Sequence, residues 1–239
     1  MKKLISLLCL AAGFSHNASA GDLSALGVLS QNEFRVLSED LGSALSYKPV
    51  MPSEALGITG FDIGLEVTST DISRSANALS KAGSGASVLD NLVIPKLHVA
   101  KGLPFGFDVA ASWVNVPAIS ASLFGGEIRY ALVDGGIAMP AVALRAAMTS
   151  LNGSDQLSFS TRSVDISVSK GFVMLTPYAG IGQVWVSSNP NAGALQSENF
   201  SQGKVFAGVN MNLGLINFAL EADKTGEATS YSLKMGVRW

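Results

Sequence analysis

Three short motifs have the spacing of serine acyl-transfer chemistry. They are Ser167-Val168-Ser169-Lys170, Ser201-Gln202-Gly203-Lys204 and Lys224-Thr225-Gly226. Together they match the S-x-x-K and K-T-G elements of serine acyl-enzymes, in which the nucleophilic serine begins a helix. Here each lies in or beside a segment that alternates like a strand, so the match reads as coincidence in a serine-rich chain. Gly180-Ile181-Gly182 lacks the strand–turn–helix setting of a nucleotide site and reads as strand glycine. Asn152-Gly153-Ser154 and Asn199-Phe200-Ser201 are formal glycosylation sequons and read as loop residues. The histidines are His16 and His98 and the one cysteine is Cys9. A site built on several histidines, a disulfide, or thiol chemistry is therefore not expected.

The elements that would position such residues come from composition and patterning. The chain has 239 residues, 48% of them hydrophobic and only 14% charged, with 25 glycines and 8 prolines. Disorder is excluded, because it goes with low hydrophobicity and high charge. A helical membrane protein needs apolar runs of roughly 18 residues or more, and none follows the first twenty positions. The net charge of −2 without a basic cluster argues against a nucleic-acid partner.

Residues 1–20 read as a cleavable secretory signal peptide. Met1-Lys2-Lys3 is basic, Leu4 to Phe14 is a short apolar run, and Ala18-Ser19-Ala20 precedes Gly21 as a cleavage triplet. Cys9 follows Leu8 inside the apolar run, which argues against a lipidated N-terminus. Removal of this segment takes Cys9, His16 and two lysines with it. It leaves 14 basic and 18 acidic residues, net −4, and one histidine, His98.

From Gly57 onward the chain alternates apolar and polar residues, the signature of half-buried strands. Ten segments do so, near 57–70, 90–101, 105–117, 121–133, 136–150, 156–170, 172–187, 201–213, 216–224 and 229–239. The facing of 172–187 is open: either Tyr178, Gly180, Gly182 and Val184 or Ala179, Ile181, Gln183 and Trp185 could point outward. Pro95 fits a central strand poorly. Long connections near 71–89 and 188–200 alternate with tight turns, as in a transmembrane barrel. Alternation alone cannot say which face is out. Three features favour lipid outside: the export signal, polar faces rich in Gly, Ser, Ala and Asn, and aromatics near strand ends. Phe61, Phe107, Tyr130, Phe218 and Trp239 mark one girdle, Trp113 and Tyr231 the other. The expected fold is all-β: a closed antiparallel up-and-down transmembrane β-barrel of about ten strands, eight or twelve being the neighbouring even counts.

The ending Tyr231-Ser232-Leu233-Lys234-Met235-Gly236-Val237-Arg238-Trp239 resembles the terminal β-signal of Gram-negative outer-membrane barrels. Its signal residues are Tyr231, Leu233, Met235, Val237 and Trp239. The resemblance implies an outer-membrane location, lipid around the barrel, and delivery by periplasmic chaperones to the barrel-assembly machinery. With the strand pattern it covers most of the chain at the level of architecture. It carries over no catalytic or channel residue. Enzymes of this class typically use a histidine near the outer rim. His98 falls near the opposite end of its strand, so no enzyme and no cofactor are expected.

Residues 21–56 do not alternate. Ser30-Gln31-Asn32-Glu33 fits a capping box, and Phe34, Leu37, Leu41 and Leu45 form a stripe at helical spacing. Pro49 and Pro52 end the element. The pattern predicts a helix at about 30–46 that plugs the periplasmic side of the lumen or lies on the periplasmic rim, with both chain ends periplasmic. The polar strand faces carry Asp62, Glu66, His98, Asp108, Glu127, Arg129, Arg145, Asp165, Glu221, Lys234 and Arg238 as lumen-lining candidates. Both signs occur on neighbouring strands, as a salt-bridged closed interior or a narrow polar pore would require. The expected function is a structural barrel or a narrow pore for ions and small solutes. The alternative is a surface-binding barrel acting through its two long loops, and a lipid-modifying enzyme is a remote third.

Overall fold

A computed structural model describes residues 23–83, 90–116, 121–136, 138–191 and 193–239. The signal-peptide reading of residues 1–20, with Cys9 and His16, lies outside them. Ten antiparallel strands form one closed sheet in sequence order. They are β1 (Phe61–Asp71), β2 (Asn91–Gly102), β3 (Phe107–Val116), β4 (Ala121–Val133), β5 (Ala141–Asn152), β6 (Leu157–Ser169), β7 (Leu175–Pro190), β8 (Glu198–Leu213), β9 (Ile216–Thr225) and β10 (Ala228–Arg238). β1 closes the ring against β10 from Asp62↔Arg238 to Thr70↔Ser230. The ten expected strands are therefore all present. No helix among the described residues is long and apolar enough to cross a membrane.

The strand pattern fixes two faces. Ile63, Leu65, Val67, Val164, Ile166, Val168, Leu220 and Leu233 are exposed, while the residues between them are buried. β7 resolves to one facing: Ile181 and Trp185 point outward, and Tyr178 and Val184 are buried inside. Pro95 is tolerated for a local reason. The β2–β3 ladder begins only at Leu97↔Trp113, so Pro95 pairs with Val67 of β1 and has no β3 residue opposite it.

The two ends of the ring differ. At the turn end lie connections 103–106, 134–136 with 138–140, 170–174 and 214–215, together with the start of β1 and the end of β10. At the loop end lie 72–83, 153–156, 193–197 and 226–227. The length alternation is weaker than the sequence suggests. β7 runs on to Pro190, opposite Leu157 of β6, and β8 starts at Glu198, opposite Ser188 of β7, so both ends of the expected 188–200 loop are strand.

The N-terminal helix α1 (Gln31–Leu45) starts at Ser30 with a complete capping box to Glu33. Its boundaries match the sequence reading, but its place does not. Gln31 bonds Glu198 and the Gln196 carbonyl, Glu39 pairs with Arg74, and Ser38 bonds Ser188. All of these lie at the loop end, opposite the expected periplasmic rim. Residues 46–60 then run down the lumen to β1 at the turn end. The strands begin and end on one side, as an even count requires, yet the N-terminal helix sits on the other. The physical reason is apolar. Phe34, Leu37, Leu41 and Leu45 need a partner surface, and the loop-end half of the inner wall supplies one in Ile94, Val114, Leu123, Leu157, Phe159, Val184 and Val186. The helix α2 (Ala76–Ala82), inside the long connection, folds inward and adds Ala78, Leu79 and Ala82 to this core with Leu26 and Leu29.

Gly42 sets how closely α1 approaches the wall. A Cβ there would lie 2.8 Å from Val186 Cγ2 and 2.9 Å from Gln202 Oε1. Gly42→Leu is expected to cost about 1–3 kcal/mol by overpacking and to loosen the helix within an intact barrel. Limited proteolysis checks this: cleavage within 46–60 should rise while the strands stay protected.

Candidate functional site: the filled lumen

The site begins with the polar inner face of the turn-end half. Its carboxylates and cations come from neighbouring strands: the registers set Glu66 opposite Lys96, Asp108 opposite Arg129 and Arg145 opposite Asp165, and Lys234 reaches Asp62 diagonally. Asp62 of β1 receives Lys234 Nζ of β10 at 2.9 and 2.8 Å. Glu66 receives Lys96 of β2 at 2.7 Å. Arg145 of β5 forks onto Asp165 of β6 through Nε at 3.0 Å and Nη2 at 2.5 Å, and lies 3.6 Å from Glu127. Arg129 donates to Asp108 through Nε at 3.1 Å. These groups are buried, and charges in such a place require partners of opposite sign.

The threaded segment supplies the rest. An irregular backbone inside a barrel exposes N–H and C=O groups that no ladder satisfies. Barrel side chains satisfy them here. Glu221 accepts from the Val50 N–H at 3.0 Å, Ser169 from Ser53 N–H at 3.0 Å, and Asp108 from Leu56 N–H at 3.0 Å. In return Lys204 donates to the Tyr47 carbonyl at 2.8 Å, and Arg129 to the carbonyls of Pro52 and Glu54. Lys48 is fully buried and ion-paired to Asp223 at 2.8 Å. The Tyr47 hydroxyl lies 3.1 Å from His98 Nε2. Glycines make room: a Cβ on Gly125 would come within 3.0 Å of the Tyr47 ring, and one on Gly208 within 2.5 Å of Tyr178.

Each candidate residue can now be placed. Asp62, Glu66, His98, Asp108, Glu127, Arg129, Arg145, Asp165, Glu221 and Lys234 are buried inside the ring. Arg238 is half-buried near the turn end, opposite Asp62 in the ladder. They are one network rather than an open pore lining, since chain 46–60 lies among them. His98 also sits 3.8 Å from Asp62. Lys96, Lys204 and Asp223 belong to the network; Lys96 and Asp223 are legible from the faces they share with His98 and Glu221, whereas β8 offers no named charge beside Lys204. Tyr47 and Lys48 had no such signal, because their segment has no period. Tyr231, Leu233, Met235, Val237 and Trp239 are all exposed on the outer face. The motif residues are dispersed: Ser167, Ser169 and Lys204 face inward, Ser201 faces outward, and Thr225 is bonded to Asp223. No cluster of metal-ligating residues occurs among the described residues.

At the loop end two carboxyls of α1 are shifted in opposite directions. Hydrogen bonds from Lys81 and from the Ser30 N–H and hydroxyl pull the exposed Glu33 carboxyl down to about 2. Burial pushes the Asp40 carboxyl up against Ser75 and Arg74.

No protein-family model matches the sequence, and no curated protein does. Several solved structures share a barrel likeness. The N-terminal β-barrel domain of Pseudomonas aeruginosa OprF has 16% identity and a TM-score of 0.37, over 77% of this chain and 99% of that one. The translocator domain of the autotransporter NalP from Neisseria meningitidis has 10% and 0.36, over 93% and 99%. Ail, the attachment invasion locus protein of Yersinia pestis, has 11% and 0.31, over 75% and 97%. These are distant likenesses, and the barrel's own polarity is what bears on function.

Two outcomes are expected. Asp165→Ala, which leaves buried Arg145 with Glu127 alone, should cost about 3 kcal/mol, whereas a combined Arg145→Met, Asp165→Leu replacement should cost far less. Urea unfolding in detergent micelles reads both. Glu33 is depressed, so its contribution is present above its ordinary 4.5 and is lost as pH falls through about 2. A spin label on Asn32 should stay immobile at pH 6 and become mobile between pH 4.5 and 2, and E33Q should be mobile throughout.

Proposed function

We propose that the protein is an outer-membrane β-barrel whose lumen is sealed by its own N-terminal segment, a structural barrel or a gated narrow pore rather than an enzyme. The observation that carries this reading is inverted polarity. An aliphatic and aromatic band faces outward around the ring, while the ion pairs are buried inside, in the turn-end half of the lumen. In water such a band would far exceed the few hundred Å² of contiguous apolar surface that soluble monomers expose. In a bilayer it is the surface that lipid wets, and closure leaves no strand edge unpaired.

On this reading residues 1–20 direct export, and the outward Tyr231 to Trp239 stripe is presented to periplasmic chaperones and the barrel-assembly machinery. The turn end faces the periplasm and the loop end the exterior. The N-terminus of the exported chain therefore emerges on the outer side, because 46–60 passes through the lumen. The surface-binding alternative has less support, since part of the 72–90 connection folds inward as α2 onto the helix.

Three measurements test the proposal. Folded protein should enter vesicles and migrate differently before and after boiling. An epitope placed after Ala20 should be reached by antibody on intact cells. In planar bilayers the native protein should rarely conduct, and Gly42→Leu or deletion of 21–50 should raise conductance. Steady conduction by the native chain would defeat the sealed-lumen reading.

A further inference from the structure

The outer face carries one charge that the fold leaves unexplained. Among the described residues, the outward strand charges Asp71, Lys101 and Lys224 lie at or next to a strand end. Asp71 accepts from the Ser73 N–H, Lys101 donates to the Ile58 and Gly60 carbonyls, and Lys224 pairs with Glu227. Arg162 lies well inside β6. It is opposite Met148 of β5 and Trp185 of β7 in the ladders, and has no ion-pair or hydrogen-bond partner among the described residues. It also marks a boundary. Toward the turn end its face continues as Val164, Ile166 and Val168, and toward the loop end as Ser160 and Ser158.

Two open grooves meet at Arg162 and Trp185. One, of about 750 Å³, runs along the apolar side of the boundary. Small outward residues, Gly126 and Ala146, line it between Ile128, Met148 and Val164. The other, of about 590 Å³, opens on the polar side among Ser160, Ser187, Asn199 and Ser201. An apolar trough, an unpaired guanidinium at its head and hydroxyls above it follow the order of parts in a phosphate-bearing lipid. The guanidinium fork matches phosphate oxygens, and Trp at this level is the expected interfacial anchor.

We propose that Arg162 and Trp185 form a binding site on the outer wall for a phosphate-bearing lipid of the leaflet at the loop end, with an acyl chain along Gly126, Ala146 and Val164. The site rests on the membrane reading above. It requires no covalent step, only charge complementarity and the fit of a chain to the trough.

The test is native mass spectrometry of the folded barrel released from maltoside micelles doped with phosphatidic acid or with diacylglycerol of the same chains. The native protein should hold one phosphatidic acid and little diacylglycerol. R162Q should lower phosphatidic acid affinity about tenfold, the scale of one charged hydrogen-bonded contact. A146L, which fills the trough and keeps the charge, should weaken it as well. Equal binding by native protein and both variants overturns the proposal. Loss of the lipid adduct on adding inorganic phosphate to native protein and R162Q alike, or stabilisation by phosphate alone, also overturns it by marking a free-anion contact. Boiling-sensitive migration and vesicle insertion are measured on the same samples. Their failure would instead sink the membrane reading itself.

Discussion

The structure depends on one ladder, the pairing of β1 with β10 from Asp62↔Arg238 to Thr70↔Ser230. Without it two full-length strand edges would present unpaired N–H and C=O groups to a low-dielectric surround, at several kcal/mol each. With it every strand has two neighbours. The ring then has only an outside and an inside, and a strand's two faces must divide between them. That division converts a chain with 48% hydrophobic residues into an apolar outer wall whose strand charges are mostly held inside.

Closure creates a second demand, because a ten-stranded ring is wider than the eight-stranded size whose interior strand side chains fill unaided. Two different materials fill this one. In the loop-end half, α1, α2, Leu26 and Leu29 form an apolar core against inward aliphatic residues such as Val184 and Val186. In the turn-end half, the 46–60 backbone lies among ion pairs and is held at its amides and carbonyls by Glu221, Asp108, Lys204 and Arg129. The interior is thus not polar throughout. The zone boundary lies near Tyr47, where the helix has ended and the threaded chain meets His98.

The strands and the helix were legible in the sequence because their signals are local. A period of two reports which residues share a face, and Ser30 with Glu33 caps α1 within one turn. The interior charges were legible for the same reason, since Asp62, Glu66, Arg145 and Lys234 fall on faces that alternation defines. The proline at 95 looked inconsistent only because the sequence does not reveal where the β2–β3 ladder ends.

The sequence by itself determined the ten strands and α1, the facing of most strands and the sign of each buried charge, all properties of residues within one strand or turn; α2 and the facing of β7 it left open. Only the tertiary structure decided which carboxylate meets which cation, that α1 sits at the loop end, and that 46–60 threads the ring. Those outcomes follow from register and from the space left inside the closed barrel. Both are set by residues far apart in the chain, such as Lys48 with Asp223 and Gly42 with Val186, so no window of local sequence contains them.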